Sequence, residues 1–315
     1  MKVASPPVGG LLYSLIHLGG FAGDLKFYAK HTERARVIEF GCGDGRIAAH
    51  LNFGQPTLSI LQQQLQREEN MEDELEEAEE PWQGCAPCET APTAYLGIEL
   101  CEPLARKARE RLSSAESAEV RQGDFLQPLR EDAEAAFDAA LVSANTLFAT
   151  PDHETLLIRC SEALEPGGVL LLDVYNALLY HDEGWEEEED QEEEDVTGGD
   201  AAQALEEDES SLVVQVQDEA GSMWKVYEKD PDVDVTAKRI TCHYEFRSSD
   251  SKGTAEGGEA TFREDLVHHY LLPEDLVLLL DRCGFEIREL HGNFDGATFD
   301  PEESEHVVVV AAKKS

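Results

Sequence analysis

Val37-Ile-Glu-Phe-Gly-Cys-Gly-Asp-Gly-Arg46 is the stretch that decides how this chain folds. An apolar run of strand character passes directly into glycines at 41, 43 and 45, and then into helical periodicity. Without side chains, such a strand-to-helix turn lets the backbone come close to a ligand. The spacing is Gly-x-Gly-x-Gly. A dinucleotide fingerprint would place its third glycine one residue later, so a pyrophosphate cradle is not the geometry implied.

Outward from that turn, apolar strands alternate with helical segments, the pattern of a parallel sheet covered by helices. Strands are expected at Arg36–Phe40, Ala94–Glu99, Ala118–Gln122, Phe137–Ser143 and Gly168–Val174, and helices at Arg46–Leu51, Pro103–Leu112 and His153–Leu164. The last helix has Asp152 as N-cap and stops at Pro166-Gly-Gly. The second strand ends in Glu99-Leu100 and the third is followed by Asp124-Phe125. Both acids fall at the carboxyl edge of the sheet. Glu99 is placed to accept hydrogen bonds from two ribose hydroxyls, and Phe125 to flank a purine.

The period then changes. Leu212–Gln217, Ser222–Glu228, Arg239–Arg247 and Glu259–Tyr270 alternate in twos and read as antiparallel strands. Pro273–Cys283 reads as a helix ended by Gly284, and Phe285–His291 and Glu305–Ala312 as two strands that close the main sheet. Two acidic insertions interrupt the order, at 62–92 and 182–209, with 9 acids in Glu68–Glu80 and 16 in Asp182–Glu209. Such density of like charge cannot offset the entropy of ordering, so both are expected as solvated loops. The 315 residues thus read as a single α/β domain with a flap over 210–270.

A formal net charge of −42 gives a field that repels nucleic acid and anionic membranes. Apolar runs such as Val307–Ala312 fall far short of the roughly 18 to 20 residues that span a bilayer. The 7 cysteines are odd in number and scattered, which fits a reducing compartment, and a cytoplasmic location is expected. Cys85-Ala-Pro-Cys88 has metal-like spacing but no second pair or histidine pair, so no metal is expected.

With these elements in place, the chain resembles the class I S-adenosylmethionine-dependent methyltransferases from about Tyr13 onward. The resemblance implies a doubly wound, Rossmann-like seven-stranded sheet, with the small antiparallel flap inserted after strand five. It implies S-adenosyl-L-methionine as cofactor, held by Glu39, Gly41, Cys42, Gly43, Gly45, Arg46, Glu99, Leu100, Asp124, Phe125 and Ser143. Within that family the chain resembles flap-bearing small-molecule enzymes, including amino-sugar N-methyltransferases. Asp24-Leu-Lys-Phe-Tyr28, Asp173-Val-Tyr-Asn176, Tyr270-Leu-Leu-Pro-Glu-Asp-Leu276 and Gly292-Asn-Phe-Asp-Gly296 carry that likeness. The chain departs from it at Asn145-Thr-Leu-Phe-Ala-Thr150, where a histidine is often found, and in its acidic insertions.

The expected partner is a small-molecule methyl acceptor, an amine or a hydroxyl, with a homodimer left open. Ligands bind outside the carboxyl ends of strands in an open α/β sheet, so Asn145, Tyr175, Asn176, Tyr270, His291 and Asn293 are the acceptor-pocket candidates. An amine needs no base once neutral, whereas a hydroxyl would use a histidine such as His268, His269 or His291. Two other classes stay open: a nicotinamide oxidoreductase on the same sheet, and a non-catalytic acidic scaffold.

Overall fold

The structure, a computed structural model, describes residues 20–53, 91–129, 136–181, 210–217, 223–248 and 260–314. The acidic tract at 182–209, residues 62–90 of the other insertion, and the Cys85/Cys88 pair lie outside the described residues. Strands β1 (Arg36–Phe40), β2 (Ala94–Glu99), β3 (Ala118–Gln122), β4 (Phe137–Val142), β5 (Leu164–Tyr175), β10 (Phe285–His291) and β11 (His306–Lys313) form a seven-stranded sheet ordered β10-β11-β5-β4-β1-β2-β3. Strands β6 (Ser211–Gln217), β7 (Met223–Asp234), β8 (Arg239–Ser248) and β9 (Ala260–His269) form an antiparallel sheet in chain order.

β1 lies at the centre and runs parallel to β2 and β4. The strand order reverses there, which opens a crevice at the carboxyl ends of β1 and β4. β11 is antiparallel to both β5 and β10, so β10 runs parallel to β5 and the loop between β10 and β11 returns to that same edge. Both closing strands follow the expected directions.

Alternation sorts the sheet's side chains onto two covered faces. Ile38, Phe40, Ala140, Val142, Leu170 and Leu172 pack with helices α4 (His153–Ala163) and α6 (Pro273–Arg282), the short α5 (Leu178–His181) following β5 between them in the chain. Val37, Ala139, Leu141, Leu171 and Val308 pack on the opposite face with α1 (Asp24–His31), α2 (Arg46–Ala48) and α3 (Glu102–Arg111). Asp152 caps α4 as expected, its carboxylate accepting from the Thr155 amide at 3.2 Å.

Three boundaries differ from the sequence reading by more than one residue. The segment after the glycine turn is one α turn that continues as a π turn over Ala49–Phe53. β5 begins at Leu164, because a register shift against β4 takes Pro166-Gly-Gly into the strand as a bulge, with Gly167 at φ 82. β7 runs on to Asp234, past the expected end at Glu228. Its register shifts between Lys229 and Asp232, which accommodates Pro231 within a paired strand.

The antiparallel sheet lies over the α4/α6 side. Its inner face has a small core of Trp224, Val226 and Phe246, while Ile240 joins the main core beside Tyr270. His153 Nε2 meets the His269 carbonyl at 2.6 Å and Lys238 pairs with Asp275 at 2.6 Å. The flap is therefore fastened at its β9 end.

Candidate active site

The glycine turn closes β1 onto β2, with the amides of Gly41 and Cys42 donating to the Ile98 carbonyl at 2.8 and 3.1 Å. Gly41, Gly43 and Gly45 have φ of 77, 55 and 81, which favours glycine at each. Two of them also pack tightly. A Cβ on Gly41 would lie 2.7 Å from Thr146 Cγ2, and one on Gly45 would lie 3.2 Å from Ala108 Cβ. At Gly43 it would meet nothing within 4 Å, so the middle glycine faces open space where a ligand can lie against the backbone. Cys42 turns inward instead, its Sγ against Gly97, and burial pushes its thiol pKa up. Asp44 is held by Arg111 at 2.9 Å.

Glu99 ends β2 almost wholly buried, and its two oxygens accept from the Gly43 amide at 2.9 Å and the Cys101 amide at 2.8 Å. Burial raises its pKa, and those amides oppose the rise. The carboxylate thus lies beside the one glycine of the turn that faces open space. Leu100, half-buried, follows it, and the Gly123 amide donates to the Glu99 carbonyl at 2.9 Å, bringing the start of the Asp124 loop to the same edge. Asp124 is half-buried and accepts from the Leu126 amide at 2.9 Å. Phe125 is buried in the core beneath that loop.

A polar network occupies the α1 side of the sheet edge, at same-face positions of β1, β4 and β5. Glu39, buried, accepts from the Tyr95 hydroxyl at 2.6 Å and from Ser143 Oγ at 3.0 Å. Burial pushes its pKa up to about 7. Asp173 is likewise pushed up to about 7 by burial, and accepts from the Tyr28 hydroxyl and from the Ala144 amide at 2.9 Å. Arg46 enters from α2 and bonds both oxygens of Asp24, at 2.6 and 3.2 Å, in a buried pair. The sequence reading named Glu39, Ser143 and Arg46 here. It passed over Tyr95, and it quoted Tyr28 and Asp173 only for their likeness to a family. The signal that could have found Asp173 was an acid at the end of the buried apolar run 168–174.

These groups lie along one edge of the sheet, Glu99 and Asp124 at its β2–β3 end and Glu39, Asp173 and Arg46 on its α1 side. Residues 21–290 match the profile of a family described as a methyltransferase domain. The chain belongs to that family. The match removes the nicotinamide oxidoreductase reading. No curated protein matches the chain in sequence.

Solved structures with a similar fold include the CcbJ methyltransferase from Streptomyces caelestis, 19% identical at a TM-score of 0.56, covering 100% of this chain and 93% of that one. CalS10, an amino pentose methyltransferase from Micromonospora echinaspora solved with S-adenosylmethionine, is 15% identical at 0.55 and covers 96% and 97%. The sugar N-methyltransferase KedS8 from Streptoalloteichus sp. is 15% identical at 0.56 and covers 100% and 99%. At these identities the likeness is one of fold, and it includes the seven-stranded class I methyltransferase sheet.

The acceptor candidates of this methyltransferase divide between two faces. Tyr175 lies under the flap, its ring 5.0 Å from Phe148, 5.7 Å from Tyr180 and 5.6 Å from His268, and its hydroxyl is buried without a hydrogen-bond partner among the described residues. Burial raises its pKa, with Cys242, Tyr180 and Tyr270 as the neighbouring groups. The Tyr270 hydroxyl meets His181 Nδ1 at 2.8 Å. Asn145 accepts the Tyr175 amide on Oδ1 at 2.7 Å. Asn176 is fully buried, and its amide donates to the carbonyls of Pro301 and Ser304 at 2.9 Å each, so it ties down the β10–β11 loop.

His291 and Asn293 belong to the α1 side instead. His291 Nε2 meets Glu289 at 2.9 Å and its ring lies 6.2 Å from that of Phe27. Asn293 is exposed, and its neighbour Phe294 stacks on Phe21 and edges onto Phe27, both at 5.8 Å. Among the described residues no group of three or more His, Cys, Asp or Glu could hold a metal ion, and no helix is long and apolar enough to cross a membrane.

Proposed function

We propose that this methyltransferase moves the methyl group of S-adenosylmethionine to the nitrogen of a small-molecule amine. The residues present fit that donor. The open face of Gly43 leaves room beside the backbone, with Glu99 next to it to take the ribose and Asp124 at the same sheet edge to take the adenine. Arg46, Glu39 and Asp173 supply both signs of charge for the donor's amino-acid end. When bound, the donor supplies a methyl group on cationic sulfur with a neutral leaving group. The protein's own task is then to align the acceptor and exclude water, and alignment alone supplies much of the rate.

One observation favours nitrogen over oxygen. Each buried carboxylate at this edge is already held by hydrogen-bond donors: Glu39 by Tyr95 and Ser143, Glu99 by two backbone amides, Asp173 by Tyr28 and Ala144. A hydroxyl acceptor would need a base in its transition state, and since each oxygen of these carboxylates already accepts a hydrogen bond, that base would have to be a histidine such as His268, 5.6 Å from the Tyr175 ring. A neutral amine needs none. A net charge of −42 also draws cationic amines and repels phosphorylated acceptors. CalS10 is an amino pentose methyltransferase and KedS8 a sugar N-methyltransferase, which agrees with this choice.

Calorimetry with S-adenosylmethionine, S-adenosylhomocysteine and NAD tests the donor, and binding of NAD alone would refute it. A metabolite screen for labelled-methyl uptake then tests the acceptor. Amine products are expected; ether or ester products would overturn the nitrogen assignment, and no uptake alongside tight donor binding would favour a non-catalytic role.

A further inference from the structure

The two faces of the flap carry their charges differently. On the outer face acids sit against bases: Glu245 against Arg247 and Arg263, Asp232 and Asp265 against His243, and Asp234 against Arg239. The inner face has acids alone. In register, Glu228, Tyr244 and Glu264 form one row across β7, β8 and β9. Paired residues of neighbouring strands project from the same face, and Tyr244 packs with the inner core of Trp224, Val226 and Phe246, so both carboxylates lie on the inner face. Alternation sends Lys225, Lys229, Arg239, Arg247 and Arg263 to the other one. Glu228 and Glu264 are half-buried, and burial raises the pKa of each; the Tyr244 hydroxyl opposes the rise at Glu228. Two desolvated like charges cost stability, and a cation entering between them recovers it.

The row also opens onto the acceptor region. Tyr180 of α5 stands edge-on to Tyr175 at 5.7 Å, keeps 39% of its surface exposed, and has Cys242 and Glu228 among the charged neighbours of its hydroxyl. Tyr175 stacks on His268, which lies four residues along β9 from Glu264. At about 3.3 Å per residue, the carboxylates are about 13 Å from the level of Tyr175. Neither can reach a nitrogen beside Tyr175 as a base. The same length suits an extended chain of roughly seven or eight methylenes between two amino groups. Tyr175 is in turn tied by its amide to Asn145, in the loop whose Thr146 packs on Gly41. A molecule lying along the flap therefore reaches from the carboxylate row to the donor turn.

We propose that Glu228 and Glu264 are specificity-determining residues that hold a second, protonated amino group of the acceptor, which makes the acceptor a linear aliphatic diamine. This rests on the N-methyltransferase reading. The far ammonium keeps its proton and is held between the two carboxylates, beside the rings of Tyr244 and Tyr180, whose faces favour a cation over a neutral group. The near nitrogen, having released its proton to water, gives its lone pair to the new N–C bond. The methyl–sulfur bond breaks as that bond forms, and its electron pair leaves with sulfur.

Calorimetry on the full chain compares octamethylenediamine with ω-aminooctanol, which has the same length but ends in a neutral hydroxyl. With S-adenosylhomocysteine bound, the diamine is expected to bind about tenfold more tightly. In Glu228→Gln/Glu264→Gln the two should bind alike, while the affinities for ω-aminooctanol and S-adenosylhomocysteine stay unchanged, a split that a merely structural role would not produce. Glu264→Gln alone should lose part of the preference. Glu116→Gln/Glu286→Gln removes the same charge from exposed positions outside the flap and should keep all of it. Equal binding of the two probes by the unmodified chain overturns the proposal, as does a preference that survives the double flap variant or falls equally in the surface one. Titrations without S-adenosylhomocysteine read the anchor by itself. Should S-adenosylhomocysteine fail to bind while the diamine preference and its loss in the flap variant persist, the methyltransferase reading falls and the ammonium anchor stands.

Discussion

Replacing Glu39 by glutamine should change how stability depends on pH, by an amount that the structure sets. Glu39 is buried and its pKa is pushed up to about 7, first by burial, with the Tyr95 and Ser143 hydroxyls opposing the rise. In the unfolded chain the same group titrates near its ordinary value of about 4.3, so between those values the folded state binds more protons than the unfolded one. Stability contributed through Glu39 is therefore fully present below that ordinary value and lost as pH rises through about 7. Over a scan from about pH 5.5 to 8.5 the loss comes to about 2 kcal/mol, since one pKa unit is about 1.4 kcal/mol. A glutamine side chain keeps the size and one acceptor oxygen but does not ionise. Any fixed gain or loss from its hydrogen bonds adds equally at every pH, and Asp173 and the exposed carboxylates titrate in both proteins. Urea unfolding of the two chains across that range isolates the effect. The wild type should lose about 2 kcal/mol relative to Glu39→Gln on going from the acid to the alkaline end. A difference that stays constant with pH would refute the account and place an ionised Glu39 in a well-solvated or well-paired site.

Three further outcomes follow from the same contacts. Asp24→Ala leaves the buried Arg46 guanidinium without its ion-pair partner and should cost about 3–5 kcal/mol of stability; a loss under about 1 kcal/mol in urea unfolding would show that the pair is not buried in solution. Gly43→Ala puts a Cβ into open space at φ 55, so the fold should lose only about 1–2 kcal/mol from left-handed strain. Its calorimetric affinity for S-adenosylmethionine should fall more steeply than that, and unchanged affinity would place the donor away from the turn. Tyr175→Phe removes a buried hydroxyl that has no partner among the described residues and should stabilise the chain by about 1 kcal/mol in thermal unfolding; a marked loss would reveal a partner outside them.

Much of the fold was legible because its signals are local. Glycines 41, 43 and 45, the acids Glu99 at the end of β2 and Asp124 just after β3, and the change from helical period to period two each lie within a few residues, and alternation alone sorts Val37 from Ile38 onto opposite faces. The Asp152 cap was readable for the same reason. Where a segment's partner is remote, the reading ran short: the β5 bulge at Gly167 depends on pairing with β4, and the length of β7 on pairing with β8.

The site divides along the same line. The sequence by itself determined that Glu39, Glu99 and Asp124 come to the carboxyl edge, because strand ends in a parallel sheet are fixed by the strands. Only the tertiary structure decided what those residues are free to do. It spent the Asn176 amide on residues 301 and 304, turned Cys42 inward against Gly97, and buried Glu39 and Asp173 deeply enough to raise both to about 7. It also set Tyr28 against Asp173, 145 residues away in the chain, and bent Ala144 and Asn145 into left-handed backbone. Desolvation and hydrogen-bond commitment are properties of a residue's whole surroundings, assembled from distant parts of the chain, and no local pattern carries them.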